Sequence, residues 1–305
     1  MAQWGLFVAF SVALTAVILF LARQSQELLG RVADESASES EISSDAPASG
    51  EGLASSAPAS GEGIPPDVPA TQTPGSGERV PPNTSDGSRP GGEVELTPGA
   101  MLVNLGATQG LVALAVIVAA WSFDVPATAL GVTDDAMGLG TLGVGAGLAL
   151  GLVLWVGNEL STTVADAVGA SYDERIRALL APDSPAGWVV LLAVVLPLVS
   201  LGEELLFRAA LVGAPAAGFD VSPWLLAVVS SLAFALGHGA QGRVGVVVTG
   251  LLGFALAAGY ILTGSLLVVV VAHYVINALE FLVHEYLGAD GLLPFATLPV
   301  ETSRN

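Results

Sequence analysis

Residues 187–214 read GWVVLLAVVLPLVSLGEELLFRAALVGA. The run is long enough to cross a hydrocarbon core, which takes about 20 residues as a helix. Backbone groups in lipid have to be satisfied within the segment, so such a run is a helix and not a strand. Yet Glu203, Glu204 and Arg208 stand among its leucines and valines. An ionisable side chain at that depth is costly and faces a partner or a cavity. The stretch therefore decides the fold, a helical membrane bundle, and also marks where to look for function.

Six further apolar runs flank it, at residues 4–21, 100–121, 138–157, 223–238, 244–262 and 265–283. The expected fold is all-α: a polytopic bundle of about seven transmembrane helices, with 223–238 on the short side. Composition agrees, since 52% of residues are hydrophobic and only 12% charged, with mean hydropathy +0.70. An ordinary soluble domain has about 25% charged residues. The first run lacks a basic leader and no small-residue cleavage site follows it, so residues 1–23 read as a retained anchor. Residues 24–98 are rich in Pro, Gly, Ser and acidic side chains, and Ala-Pro-Ala-Ser-Gly-Glu-Gly occurs at 46–52 and again at 57–63. Such a segment buries too little surface to offset its ordering entropy and is expected to be a disordered acidic linker. Residues 99–186 then hold two spans and an amphipathic surface helix over 158–181, residues 187–284 the polar-bearing core, and 285–305 a tail. Gly143, Gly147 and Gly151, four apart, predict close helix packing of the small-xxx-small kind.

There is no cysteine, which excludes a disulfide scaffold, a thiol nucleophile and a thiolate zinc site. Nine basic residues, all arginine, face 28 acidic ones, for a net charge of −19. Nucleic-acid binding through neutralised phosphates is excluded on that balance, and solvation by carboxylates is the halophile-like reading. Counting spans alternately puts Arg23, Arg31, Arg79, Arg89, Arg175, Arg177, Arg243 and Arg304 on one side. Asp124, Asp134, Asp135 and Asp220 fall on the other, with no arginine. The positive-inside rule makes the arginine side cytoplasmic, linker and C-terminus included, in a multi-pass cell-membrane protein.

The remaining intramembrane polar residues are His238 in the fifth run by position, and His273, Asn277 and Glu280 in the last. Glu204 and Arg208 are four apart and form an ion pair on one helix face. Glu203 projects about 100° further round and is left for other work. His273 and Asn277 share a face. Counted from the turns at 215–222 and 263–264, Glu203, His238, His273 and Asn277 fall within about 10 Å of depth. Four polar groups from three helices thus meet near one level. Glu280 and His284 lie lower and read as interfacial.

Gly202–Arg208 resembles the E-E-x-x-x-R motif of the CPBP family of intramembrane proteases, which contains the type 2 CAAX prenyl proteases and bacteriocin-processing proteins. Phe234-Ala-Leu-Gly-His238 resembles its F-x-x-x-H motif, and His273-Tyr-Val-Ile-Asn277 its H-x-x-x-N motif. The resemblance covers about 187–283. It implies an intramembrane endopeptidase acting on a membrane-associated polypeptide. Glu203 would activate water with His238, His273 and Asn277 would stabilise the oxyanion, and Glu204 with Arg208 would shape the site. Glu203, His238 and His273 would also offer a His₂Glu set to Zn²⁺, the metalloprotease alternative. Two other classes compete: a catalytically silent membrane partner or immunity-type protein, whose polar cluster only holds helices together, and a proton-relay transporter. The oligomeric state and the substrate are not written in the sequence.

Overall fold

The computed structural model describes residues 1–44, 97–167 and 175–288. The chain divides into two units, Met1–Ala33 with Leu96–Asn305, and Asp34–Glu95. The helices are α1 (Trp4–Ser44), α2 (Pro98–Ser122), α3 (Thr141–Ala167), α4 (Arg175–Leu180), α5 (Pro185–Phe219), α6 (Pro223–Gly237), α7 (Gly242–Thr263) and α8 (Leu266–Tyr286). No strand occurs among the described residues. Six of these helices are long and apolar enough to cross a membrane, and α6, with 15 residues, is not.

Local chemistry sets the ends. Thr97, Ser184 and Ser265 accept backbone N–H groups of the first turns of α2, α5 and α8 at 3.2–3.3 Å. Pro98, Pro185 and Pro223 each open a helix, where their missing N–H loses nothing. At one end of the bundle, Gln3 N–H donates to Phe123 O at 2.8 Å and Leu266 N–H to Gly131 O at 2.9 Å. Gly131 has φ +74°, and a methyl there would meet the Tyr260 ring at 2.6 Å. In the same connection Asp135 accepts from Gly138 and Met137 N–H at 2.7 and 2.9 Å. The Gly138 N–H first, then the Thr133 side chain and the Met137 N–H, hold its carboxyl below the ordinary carboxylate range. At the opposite end, Gln26 of α1 lies against Gly239, just past α6. The short helix therefore runs from one end towards the other, antiparallel to α7.

The glycines of α3 do pack closely. A methyl on Gly147 would lie 2.6 Å from Val271 Cβ, and one on Gly151 2.7 Å from Ala272 O and 2.8 Å from Val275 Cβ, all on α8. The α3–α8 interface is the most extensive in the molecule. It holds α8, and with it His273, in register.

Three expectations need correction. The helix of the first run does not stop at Arg23 but continues to Ser44, and its continuation opens with Gln24, Gln26, Glu27, Leu28 and Leu29, good helix formers. Arg23 pairs there with Glu27 at 3.0 Å. The rest of the expected linker, 45–96, lies outside the described residues. Of the expected surface helix 158–181, the first part continues α3 to Ala167 and residues 175–180 form α4, while 168–174 lie outside the described residues. Finally, α8 reaches Tyr286, past the expected boundary at 284, and 289–305 are not described.

The glycine spacing gives a controlled test on one helix. Gly151→Ala should lower stability by about 1–3 kcal/mol through overpacking. Gly145→Ala, where nothing lies within 4 Å, should be neutral or stabilise by up to about 1 kcal/mol through helix propensity. Thermal unfolding of both variants in detergent checks the difference.

Candidate active site

α5 changes pitch immediately after its two glutamates, with a π-helical stretch over Leu205–Gly213. Such widened turns occur frequently at functional sites. Glu204 and Arg208 are 0% and 1% exposed, and Arg208 Nη1 donates to Glu204 Oε1 at 2.6 Å. Arg208 Nη2 donates to Gly253 O of α7 at 3.0 Å, and its guanidinium carbon stands 4.6 Å over the Phe234 ring of α6. The same Glu204 Oε1 accepts from His273 Nδ1 at 2.7 Å. One carboxylate oxygen thus ties α5 to α8, and the arginine it neutralises ties α5 to α6 and α7. Glu204 Oε2 and Arg208 Nε are buried without a hydrogen-bond partner.

Glu203 faces differently, as one residue's advance along a helix requires. Its Oε1 accepts from Gln109 Nε2 of α2 at 3.0 Å, and its Oε2 lies 3.7 Å from His273 Nε2. His273 therefore stands between the two glutamates. A carboxylate on Nδ1 fixes the proton there, so the neutral ring presents its lone pair on Nε2, towards Glu203. His238 closes the end of α6, and its Nδ1 lies 2.9 Å from Phe234 O. That carbonyl only accepts, so Nδ1 donates and Nε2 is left as the acceptor in the neutral ring. The Phe234 ring lies tilted against His238, with centroids 4.5 Å apart, and meets His273 edge-on at 6.1 Å. The aromatic of the second motif is thus the common wall for both histidines and Arg208.

Two cavities meet at Phe234 and His238. One, of about 200 Å³, is lined by His238, His273, Asn277, Gln241 and Glu280, with Arg177 and Leu180 of α4 beside them. The other, of about 210 Å³, holds Glu203 and Gln109, with Ile18, Leu19 and Ala22 of α1. Of the residues singled out in the sequence, Glu203, Glu204, Arg208 and His273 are in one contact chain, and His238 and Asn277 line the space beside it. Glu203, His238 and His273 do not form a three-ligand cage. Glu203 Oε2 and His273 Nε2 have a spacing that two ligands of one ion show. His238 does not join them, because the one group of the described residues whose ligand atoms all lie within 4.8 Å is Glu159, Glu280 and His284.

That second group belongs to a separate network at the far end of α8. Arg177 contacts Glu280 at 3.1 Å and Glu285 at 2.8 Å, His284 contacts Glu159 at 2.8 Å, and Asn158 donates to Glu280 at 2.9 Å. It binds α3, α4 and α8 together. Three contributors to the site were not found by sequence reasoning: Gln109, the α1 wall and Arg177. Gln109 gives no signal, because a single uncharged amide in an apolar run is unremarkable until its partner is known.

Residues 185–279 match the type II CAAX prenyl endopeptidase Rce1-like family. All three polar motifs lie inside the matched segment, whereas α1, α2 and α3 lie before it. The Rce1-like match supports a protease of the CAAX type, and with the apolar helices it makes the chain a multi-pass membrane protein. No curated protein and no solved structure matches the chain.

The buried pair has a measurable signature. Glu204→Gln leaves Arg208 without its counter-charge and removes the anionic acceptor from His273. Breaking a buried pair from one side costs about 3–5 kcal/mol. Glu204→Gln combined with Arg208→Met should recover part of that loss in thermal unfolding, since no lone charge remains.

Proposed function

We propose that this chain is an intramembrane endopeptidase in which Glu203 activates the water that attacks a peptide carbonyl of a membrane-associated polypeptide. The observation that carries the reading is the contact chain Glu203–His273–Glu204–Arg208 beside a cavity lined by His238 and Asn277. A helix-holding cluster needs a neutralised pair, which Glu204 and Arg208 already provide. It does not need a second carboxylate facing a cavity and a histidine nitrogen.

In this mechanism a water lies between Glu203 Oε2 and His273 Nε2, with His238 Nε2 as a further acceptor that orients it. As the water oxygen bonds to the carbonyl carbon, its proton passes to Glu203 and the carbonyl π pair moves onto oxygen. The amide of Asn277 donates to that oxyanion. His273 assists when that proton passes from Glu203 to its Nε2, and Glu204 on Nδ1 orients the ring, as the carboxylate of a catalytic triad orients its histidine. The proton then moves to the leaving nitrogen and the C–N bond breaks, giving a carboxylic acid and an amine. Each oxyanion donor of this kind contributes about 10²–10³ in rate. The CAAX type of the matched family supports a prenylated C-terminal peptide as the first substrate to try.

Two experiments follow. The full chain in lipid vesicles, offered a farnesylated Cys-Ala-Ala-X peptide, should cleave it, and Glu203→Gln should lose at least about 10³-fold in turnover with unchanged thermal unfolding. Membrane proteomics of wild type against Glu203→Gln extends the assay to other polypeptides. Full turnover by Glu203→Gln would overturn the reading. The one-sided arginines further support a cytoplasmic linker and C-terminus. Ser55→Cys and Ser171→Cys should be protected from an impermeant thiol reagent in intact cells, and Thr133→Cys labelled.

A further inference from the structure

Glu203 does not hold its own position. One oxygen of its carboxylate is occupied by Gln109 Nε2 at 3.0 Å, and the other is turned to His273 Nε2. Gln109 belongs to α2, outside the segment that matches the protease family and outside every motif. The backbones of α2 and α5 come together at this point. A methyl on Gly202 would lie 2.7 Å from Gln109 O and 2.9 Å from Gln109 Oε1. The glycine that precedes Glu203 therefore leaves the room in which the Gln109 side chain lies. The amide orientation follows from chemistry, because a carboxylate accepts and only the NH₂ end of glutamine donates.

We infer that Gln109 is a positioning residue for the general base: it holds Glu203 Oε1 so that Oε2 faces His273 and the reacting water. The inference rests on Glu203 being the base. Three features of the contact fit the task. The donor is neutral, so it fixes the carboxylate without the charge neutralisation that an arginine or lysine would impose on a base. It occupies one oxygen and leaves the other to the chemistry. It also comes from a helix that packs along α5, so it is held by the scaffold and not by a loop. The alternative, an interhelical hydrogen bond that merely joins α2 to α5, predicts a loss of stability and nothing specific to Glu203.

The test uses the full chain in lipid nanodiscs, with Gln109→Leu, which keeps the bulk and removes the donor, and Gln109→Glu, which keeps the shape. For Gln109→Leu, kcat on the farnesylated peptide, or on a substrate identified by the proteomic comparison, should fall about 10- to 100-fold, with KM and thermal unfolding nearly unchanged. Gln109→Glu should be impaired at neutral pH and regain activity relative to wild type as pH falls, because its protonated acid donates as the amide did. A readout that needs no substrate is modification of Glu203 by an apolar carbodiimide, mapped by mass spectrometry. Its rate should rise in Gln109→Leu, where Oε1 is uncovered, and stay constant at Glu159 and Glu280. Wild-type kcat together with wild-type Glu203 labelling in Gln109→Leu would overturn the inference while leaving Glu203 as the base. A loss of kcat that only tracks lost folded protein would also overturn it, by making Gln109 structural. Turnover by Glu203→Gln would instead remove the base assignment and this inference with it.

Discussion

A single carboxylate oxygen, Glu204 Oε1, accepts from both Arg208 and His273 at full burial. Much of the site's geometry depends on that sharing. An isolated anion or cation at this depth would be prohibitively costly, and pairing one with the other offsets that cost. The pair then does more than balance charge. Arg208 reaches Gly253 and Phe234, and His273 is held by the oxygen that Arg208 neutralises, so three helices beyond α5 are positioned by one salt bridge. The second glutamate beside it, held by Gln109, inherits a defined environment.

The bundle and this core of the site were legible because their signals are local and chemically extreme. Charged residues inside apolar runs at spacings of four announce a shared face, and the glycines at 143, 147 and 151 announce close packing. What stayed hidden depends on which helices become neighbours. Gln109 acquires meaning only when Gly202 brings α2 against α5, a contact between residues 94 apart in sequence. Arg177 was read as a topogenic charge, whereas it contacts Glu280 and Glu285. The extension of α1 to Ser44 was missed for another reason. Averaging over a long polar segment masked its first turns, whose own composition favours helix.

The two polar networks are arranged differently and are suited to different work. The inner one is compact and shares one acceptor between a guanidinium and an imidazole. The outer one, Asn158, Glu159, Arg177, Glu280, His284 and Glu285, links three helices side by side. Glu280 and Arg177 also line the cavity that contains His238, His273 and Asn277. The mouth of that cavity is therefore polar and cross-braced, while its inner end is aromatic.

The short α6 bears on a problem that any hydrolase buried in lipid must solve, the supply of its second reactant. Fifteen residues rise only about 22 Å, against about 30 Å of hydrocarbon. The chain then turns through Gly239–Gln241 instead of continuing as an apolar rod. A bilayer meeting such a mismatch thins locally or admits polar groups below its normal boundary. Gln241 and Thr249, hydrogen-bonded to each other at 2.7 Å, mark that notch, with His238 at its inner edge. Where α6 ends, the histidine thus opens onto a cavity with polar walls instead of a further apolar turn.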